Sequence, residues 1–150
     1  MNIVLIVICS AILFVVLALW MKRRSQDRAL QSHSISPDAL NELMSTNHDV
    51  LLLDVRRPLD LLTDLEIIPG SLRIAPNDLL SNPSLIPRDK DAIFYCTCPG
   101  DETARRVVQQ ALRMGFSRSK LLLGGLPAWK AKGYPVVTYD TPFHLDIRTG

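Results

Sequence analysis

The residues with the most chemistry to offer in this 150-residue chain are Cys96-Thr97-Cys98-Pro99-Gly100-Asp101-Glu102-Thr103. Two thiols stand one residue apart, after the apolar run AIFYC (92–96) and before a segment of helical periodicity. Such a pair has four readings: half of a metal site, a redox couple, a nucleophile with a neighbour, or a small hydrophobe at a strand end. A structural zinc site takes four ligands. His33, His48 and His144 are scattered without ligand spacing, so no metal is expected, and no other cofactor. Cys98 is a candidate resolving thiol, because a neighbouring thiol can attack a persulfide or sulfenate on Cys96. The alternative is a passive residue that shapes the loop with Pro99.

Position gives Cys96 its bias. A loop between a strand end and a helix start presents successive backbone N–H groups, and the helix adds its positive end. Both favour thiolate over thiol and make a nucleophile near neutral pH. Asp101 and Glu102 act in the opposite sense if they face the pocket: they raise the cysteine pKa and repel small dianionic substrates. The simpler reading places both in the first helical turn, where acidic residues are favoured. Asp54-Val55-Arg56 is a second motif at a strand end; Asp54 is expected to accept loop or turn hydrogen bonds while Arg56 pairs locally.

The elements that must hold these residues are legible in outline. SPDALNELM (36–44) reads as a helix with Ser36 as cap and Pro37 in the first turn. VLLLDV (50–55) and AIFYC are continuous apolar runs, as in strands buried on both faces. Residues 56–70 read as a long connection with one helical turn, followed by a short strand SLRI and a short helix PNDLL. In ETARRVVQQALRMGF, Ala104, Val107, Val108, Ala111, Leu112 and Met114 form one stripe, and Gly115 ends the helix. KLLL is the next strand, and GGLPAWKAKGYPV a double-glycine turn, a short helix and an exit. Trp129 is expected in the core, and Gly124-Gly125 to permit a close backbone approach. Strands alternating with helices predict an α/β fold with a parallel sheet, whose sites form at strand C-terminal ends. Cys96 and Asp54 both sit at such ends.

Residues 2–21 carry no charge and, as a helix, span roughly 30 Å, the thickness of a hydrocarbon core. Nothing basic precedes this run, it ends in Trp20-Met21 rather than a small-residue cleavage site, and Lys22-Arg23-Arg24 follow at once. It is read as a single-pass transmembrane helix. The positive-inside rule then places the C-terminal domain in the cytoplasm, on the inner membrane. Setting aside Lys22, Arg23, Arg24, Arg28 and Asp27 leaves 13 of the 17 basic and 14 of the 15 acidic residues, so no basic patch argues for nucleic acid. The expected organisation is a transmembrane helix (2–21), a basic flank and linker (22–34), one α/β domain (35–138) and a C-terminal tail (139–150).

Four blocks in order, LLLDVRRP, IPGSLRI, IFYC with its loop and a helix ending LRMGF, and LLLGGLPAWKAKGYPV, resemble a single-domain rhodanese over residues 34–138. The C-x-C-P loop further resembles rhodanese domains fused to DedA-type membrane proteins. The resemblance implies a rhodanese-like three-layer fold with a mainly parallel five-stranded sheet. It also implies a catalytic cysteine at Cys96 that accepts a sulfane sulfur as a persulfide and passes it to a thiol acceptor, which can be a protein thiol. The active-site loop is then Cys96 with Thr97, Cys98, Pro99, Gly100, Asp101, Glu102 and Thr103, supported by Asp54 and Arg56. Ordinary sulfurtransferase members have a six-residue loop; this one has seven residues before Thr103. Seven is the length in rhodanese-fold phosphatases and some arsenate reductases, which close the loop with an oxyanion-clamping arginine where this chain has Glu102. Many members also carry a histidine at the position of Ile67, so that segment is read as structural. The acidic loop leads to the expectation that thiosulfate is a poor donor. The rival reading is a catalytically inactive interaction module tethered to the membrane.

Overall fold

A computed structural model describes residues 2–46 and 49–140. Two compact units divide between Ser32 and His33.

The first unit is one helix, α1 (Asn2–Gln31). Its stretch Ile6–Ser25 is long and apolar enough to cross a membrane, and none of it is buried. The guanidinium of Arg24 lies 4.9 Å from the centre of the Trp20 ring. Where the sequence predicts a basic flank and linker over 22–34, the helix continues to Gln31. Arg, Gln, Ala and Leu are good helix formers, and no Gly or Pro interrupts them.

The second unit is built on five parallel strands: β1 (Ser34–Ile35), β2 (Val50–Asp54), β4 (Leu72–Arg73), β5 (Asp91–Tyr95) and β6 (Ser119–Leu122), in the order β1-β6-β5-β2-β4. Strand β5 is central, with Leu53 opposite Phe94 and Phe94 opposite Leu121. Both faces of the sheet are covered, so side chains of both parities are apolar. On one face Leu52, Ile93, Tyr95 and Leu122 pack with Leu40 of α2 (Pro37–Thr46) and with Leu126 and Trp129. On the other, Leu53, Phe94 and Leu121 are fully buried, and α5 (Glu102–Arg113) packs against β5 and β6. Helix α5 buries Ala104, Val107, Val108 and Ala111, four of the six residues on its predicted stripe; Leu112 and Met114 are half-buried.

Two short helices, α3 (Pro58–Thr63) and α4 (Pro76–Ser81), fill the connections after β2 and β4. Each opens on a proline, whose fixed φ suits a first helical position. Helix α6 (Gly125–Ala131) follows the double-glycine turn. Trp129 is buried as expected, donates its Nε1–H to the Pro135 carbonyl (2.9 Å) and contacts Tyr134. A separate antiparallel pair joins β3 (Glu66–Ile67) to β7 (Val137–Thr138). Of the expected tail, residues 141–150 lie outside the described residues, as do His48 and His144.

Candidate active site

The site stands at the C-terminal end of the sheet. Strand β5 ends at Tyr95, so Cys96 is the first residue off the central strand, and α5 begins six residues later. Between them a single 3-10 turn, Pro99–Asp101, folds the loop back, with Gly100 and Asp101 both at positive φ (67° and 56°). Aspartate is among the few residues that tolerate this region.

The loop is fixed at its two ends by the Gly124-Gly125 turn. The Cys96 carbonyl accepts the N–H of Leu126 (3.0 Å). The Oδ2 of Asp101 accepts the N–H of Gly124 (2.8 Å). Gly125 is packed so tightly that a Cβ there would collide with the Cys96 carbonyl oxygen, and its φ is +53°. The close approach expected of the two glycines is therefore made against the start of the cysteine loop.

The two thiols touch. Cys96 Sγ lies 2.7 Å from Cys98 Sγ, with both cysteines free. Cys96 is buried, 1% exposed, and the backbone amides of Ala104 and Cys98 act to favour its thiolate. Cys98 is half-exposed, and its sulfur accepts the Thr103 N–H at 3.3 Å. Burial, reinforced by the adjacent Cys98 thiol, pushes the Cys96 thiol up to about 12 despite the two amides. Burial also acts to raise Cys98, but the Cys96 S–H and the Thr103 hydroxyl and amide bring it below the ordinary thiol value. Two coupled thiols share their proton losses. The first proton leaves this pair more easily than it leaves an isolated thiol, and the second much less easily.

A cleft of about 500 Å³ opens above the loop. Its wall includes Cys98, Glu102 and Thr103 from the loop and helix start, and the guanidinium-bearing Arg57, Arg73 and Arg106. Cys98, and not Cys96, belongs to this wall. The two loop carboxylates part company. Asp101 is 7% exposed and turned into the protein toward Gly124. Burial raises its pKa, against the pull of the Gly124 amide and of Arg105. Glu102 is exposed on the cleft rim and pairs with Arg106 one turn on (3.3 Å). Only one carboxylate of the two therefore faces the cleft, and the wall carries three guanidinium groups against Glu102 and Asp78. Arg57, which also holds Asp60 through two hydrogen bonds, and Arg73 escaped the sequence reading. Arg57 follows the end of β2 by three residues, so the strand-end rule that marked Asp54 would have found it. Nothing in the sequence marks Arg73.

Asp54 and Arg56 form a pair, both side chains fully buried, with Arg56 Nη2 2.5 Å from Asp54 Oδ2. Arg56 also donates to the carbonyls of Asp64 (2.7 Å) and Glu66 (2.9 Å). The pair thus pins the connection leading into β3, while the backbone beyond Asp54 is tied to the cysteine strand by the Val55 N–H on the Tyr95 carbonyl. The Tyr95 hydroxyl lies 2.7 Å from Ser71 Oγ and accepts the Ile68 N–H. Among the described residues no three of His, Cys, Asp and Glu come together as metal ligands.

Comparison with known proteins agrees with this architecture. Residues 36–132 match the family described as rhodanese-like domain. A sulfurtransferase of Allochromatium vinosum is 28% identical over 105 residues, covering 70% of this chain and 94% of that one. A probable adenylyltransferase/sulfurtransferase MoeZ of Mycobacterium tuberculosis is 30% identical over 111 residues, 72% of this chain but only 27% of that longer protein. Among solved structures, a rhodanese-related protein from Thermoplasma volcanium superposes with a TM-score of 0.60 at 27% identity, over 70% of this chain and 97% of that one. With the fold, the loop at the end of its central strand and the matched residues in agreement, the chain belongs to the rhodanese-like domain family.

Proposed function

We propose that this domain is a sulfurtransferase that carries a sulfane sulfur as a persulfide on Cys96. The observation that carries the reading is the setting of Cys96: first residue off the central strand, buried, and in contact with a second thiol. Backbone amides of Ala104 and Cys98 favour the charged form of Cys96, the thiolate that attacks the donor.

The Cys96 thiolate attacks the outer sulfur of the donor, the donor's sulfur–sulfur bond breaks, and the remainder leaves with the electron pair. With thiosulfate the products are the Cys96 persulfide and sulfite. The cleft favours an anionic donor. Asp101 is turned away from the cleft, and Arg57, Arg73 and Arg106 line it, so the ground for expecting thiosulfate to be excluded is reduced to Glu102. A thiol acceptor, small or on a protein, then removes the sulfur.

The rest of the organisation follows the same reading: helix α1 as a single-pass anchor over 2–21, and the domain, over 35–138, at the cytoplasmic face. The charge-free run followed by Lys22, Arg23 and Arg24 supports it. A periplasmic signal from a reporter fused at residue 150 would reverse that orientation.

The test of the activity is sulfite release from thiosulfate by the full chain in detergent micelles. Release by the wild type and its loss in Cys96→Ser is the expected result. An inert wild type, or a Cys96→Ser variant as active as the wild type, overturns the assignment and leaves an interaction module as the better reading.

A further inference from the structure

Cys98 stands where a loaded Cys96 needs room. Its sulfur is 2.7 Å from Cys96 Sγ and takes the Thr103 N–H, so it occupies space directly beside the atom that an outer persulfide sulfur must bond. Loading Cys96 must swing Cys98 toward the cleft it already lines. The return path of that thiol leads to the inner sulfur. A disulfide bond is about 2.05 Å long, so the resting contact falls short of bonding by only about 0.7 Å. An external acceptor has to enter through a cleft that Cys98 lines, against an intramolecular thiol whose effective molarity can reach about 10⁵ M when well oriented.

We propose that Cys98 is a second catalytic thiol that resolves the Cys96 persulfide, so that the domain releases the sulfane sulfur as hydrosulfide. This rests on the persulfide reading above. Cys98 attacks the inner sulfur, the Cys96 sulfur–sulfane bond breaks, and the departing sulfide keeps the electron pair and takes the Cys98 proton. A Cys96–Cys98 disulfide and one HS⁻ result: two thiols are oxidised and the sulfane sulfur is reduced. An external dithiol then returns two electrons and two protons to the pair by thiol–disulfide exchange.

The test treats the full chain in detergent micelles with thiosulfate, which yields sulfite but no sulfide on loading, and follows sulfite, sulfide and intact mass. For the wild type, each sulfite is expected to be followed by one sulfide, and the protein ends lighter by about 2 Da, the loss of two hydrogens to a disulfide. In Cys98→Ser, sulfite appears without sulfide, and a gain of about 32 Da, one sulfur atom, persists on Cys96. Cys98→Ala, which also lacks the thiol, behaves the same way and guards against an effect peculiar to serine. A wild type that holds the added sulfur as long as Cys98→Ser does, with no sulfide, removes the resolving role and leaves the persulfide reading standing. Sulfite from neither protein, with no adduct, sinks both. An adduct found on Cys98 in Cys96→Ser, with none in Cys98→Ser, reverses the two roles and overturns the proposal.

Discussion

The carboxylate of Asp101 accepts the backbone N–H of Gly124, 23 residues away, and so joins the cysteine loop to the turn that enters α6. Asp101 is buried, Gly124 is exposed, and Asp101 makes the contact from a left-handed backbone. An acidic residue beside a reactive thiol here secures the loop and keeps its charge out of the cleft.

Replacing Asp101 with alanine leaves the Gly124 N–H without this acceptor and puts a residue of low left-handed propensity at φ 56°. The expected loss is about 0.5–1.5 kcal/mol, the net worth of an ordinary intramolecular hydrogen bond. Asp101→Asn keeps both the acceptor oxygen and the tolerance of positive φ. It is expected to cost less than half as much. Thermal unfolding of the full chain in detergent, compared across the two variants, checks the ranking; equal losses would mean that the carboxylate charge, not the hydrogen bond, holds the turn.

The coupled thiols make a pH-dependent labelling pattern. Cys98 lines the cleft and loses its proton below the ordinary thiol range, whereas Cys96 is buried and held up to about 12. Iodoacetamide near neutral pH is therefore expected to label Cys98 first, with Cys96 protected. Cys98→Ser removes the thiol contact that reinforces burial in raising Cys96, so Cys96 is expected to label at lower pH in that variant than in the wild type. Peptide mapping by mass spectrometry reads both effects. Preferential labelling of Cys96 in the wild type would contradict the observed burial.

How much of this was legible beforehand depended on how local each signal is. The runs VLLLDV and AIFYC announced β2 and β5 because both faces of those strands are buried, and the stripe of α5 announced its packing face. Strands β1 and β7 are two residues long and join their partners through backbone bonds, so no side-chain period marks them. The place of Cys96 could be read from the end of an apolar run. The direction of Asp101 could not, because it is set by Gly124, distant in sequence. The same holds for Arg73, which lies well before the loop in sequence and meets it only in the fold, whereas Arg57, three residues past the end of β2, lay within reach of the strand-end rule.

The buried pair of Asp54 and Arg56 should behave as a unit. Arg56→Met leaves the Asp54 carboxylate unpaired in the core and releases the carbonyls of Asp64 and Glu66. Breaking one side of a buried ion pair costs about 3–5 kcal/mol. The denaturant midpoint of the variant is expected to fall accordingly, and Asp54→Asn combined with Arg56→Met should be less damaging than the sum of the two single changes. Strict additivity would show that the two side chains act separately.

Asp91 gives a stability that depends on pH. Burial opposes its charged form, yet hydrogen bonds from Arg118 (2.9 Å) and Lys120 (3.0 Å) bring its pKa below the ordinary 3.8. A carboxylate whose folded-state pKa is depressed binds fewer protons when folded. Its contribution is therefore complete above 3.8 and is lost as the pH falls through the lower folded-state value. Asp91→Asn is expected to be less stable than the wild type near neutrality, with the gap closing on acidification. A gap that holds constant down to the lowest pH at which the wild type stays folded would show that the lost contacts are insensitive to charge.

The charges around the cleft should act on donor affinity in opposite directions. Arg57 and Arg106 are exposed, at 68% and 74%, so each interacts with an anion through well-screened solvent. Exposed pairs are worth roughly 0.2–1 kcal/mol, which corresponds to about a 1.4- to 5-fold change in affinity. Arg57→Ala and Arg106→Ala are each expected to raise the KM for thiosulfate by a factor in that range, with kcat nearly unchanged, because neither touches the reacting sulfur. Glu102→Gln removes the carboxylate that faces the cleft and frees Arg106 from its partner, so it should lower the KM by a comparable factor. Added salt should shrink all three effects, since the Debye length falls from about 10 Å at 0.1 M to about 3 Å at 1 M. Steady-state kinetics at two ionic strengths tests the set. A lower KM in the arginine variants, or effects that salt leaves intact, would mean that the donor does not bind through this cleft as an anion.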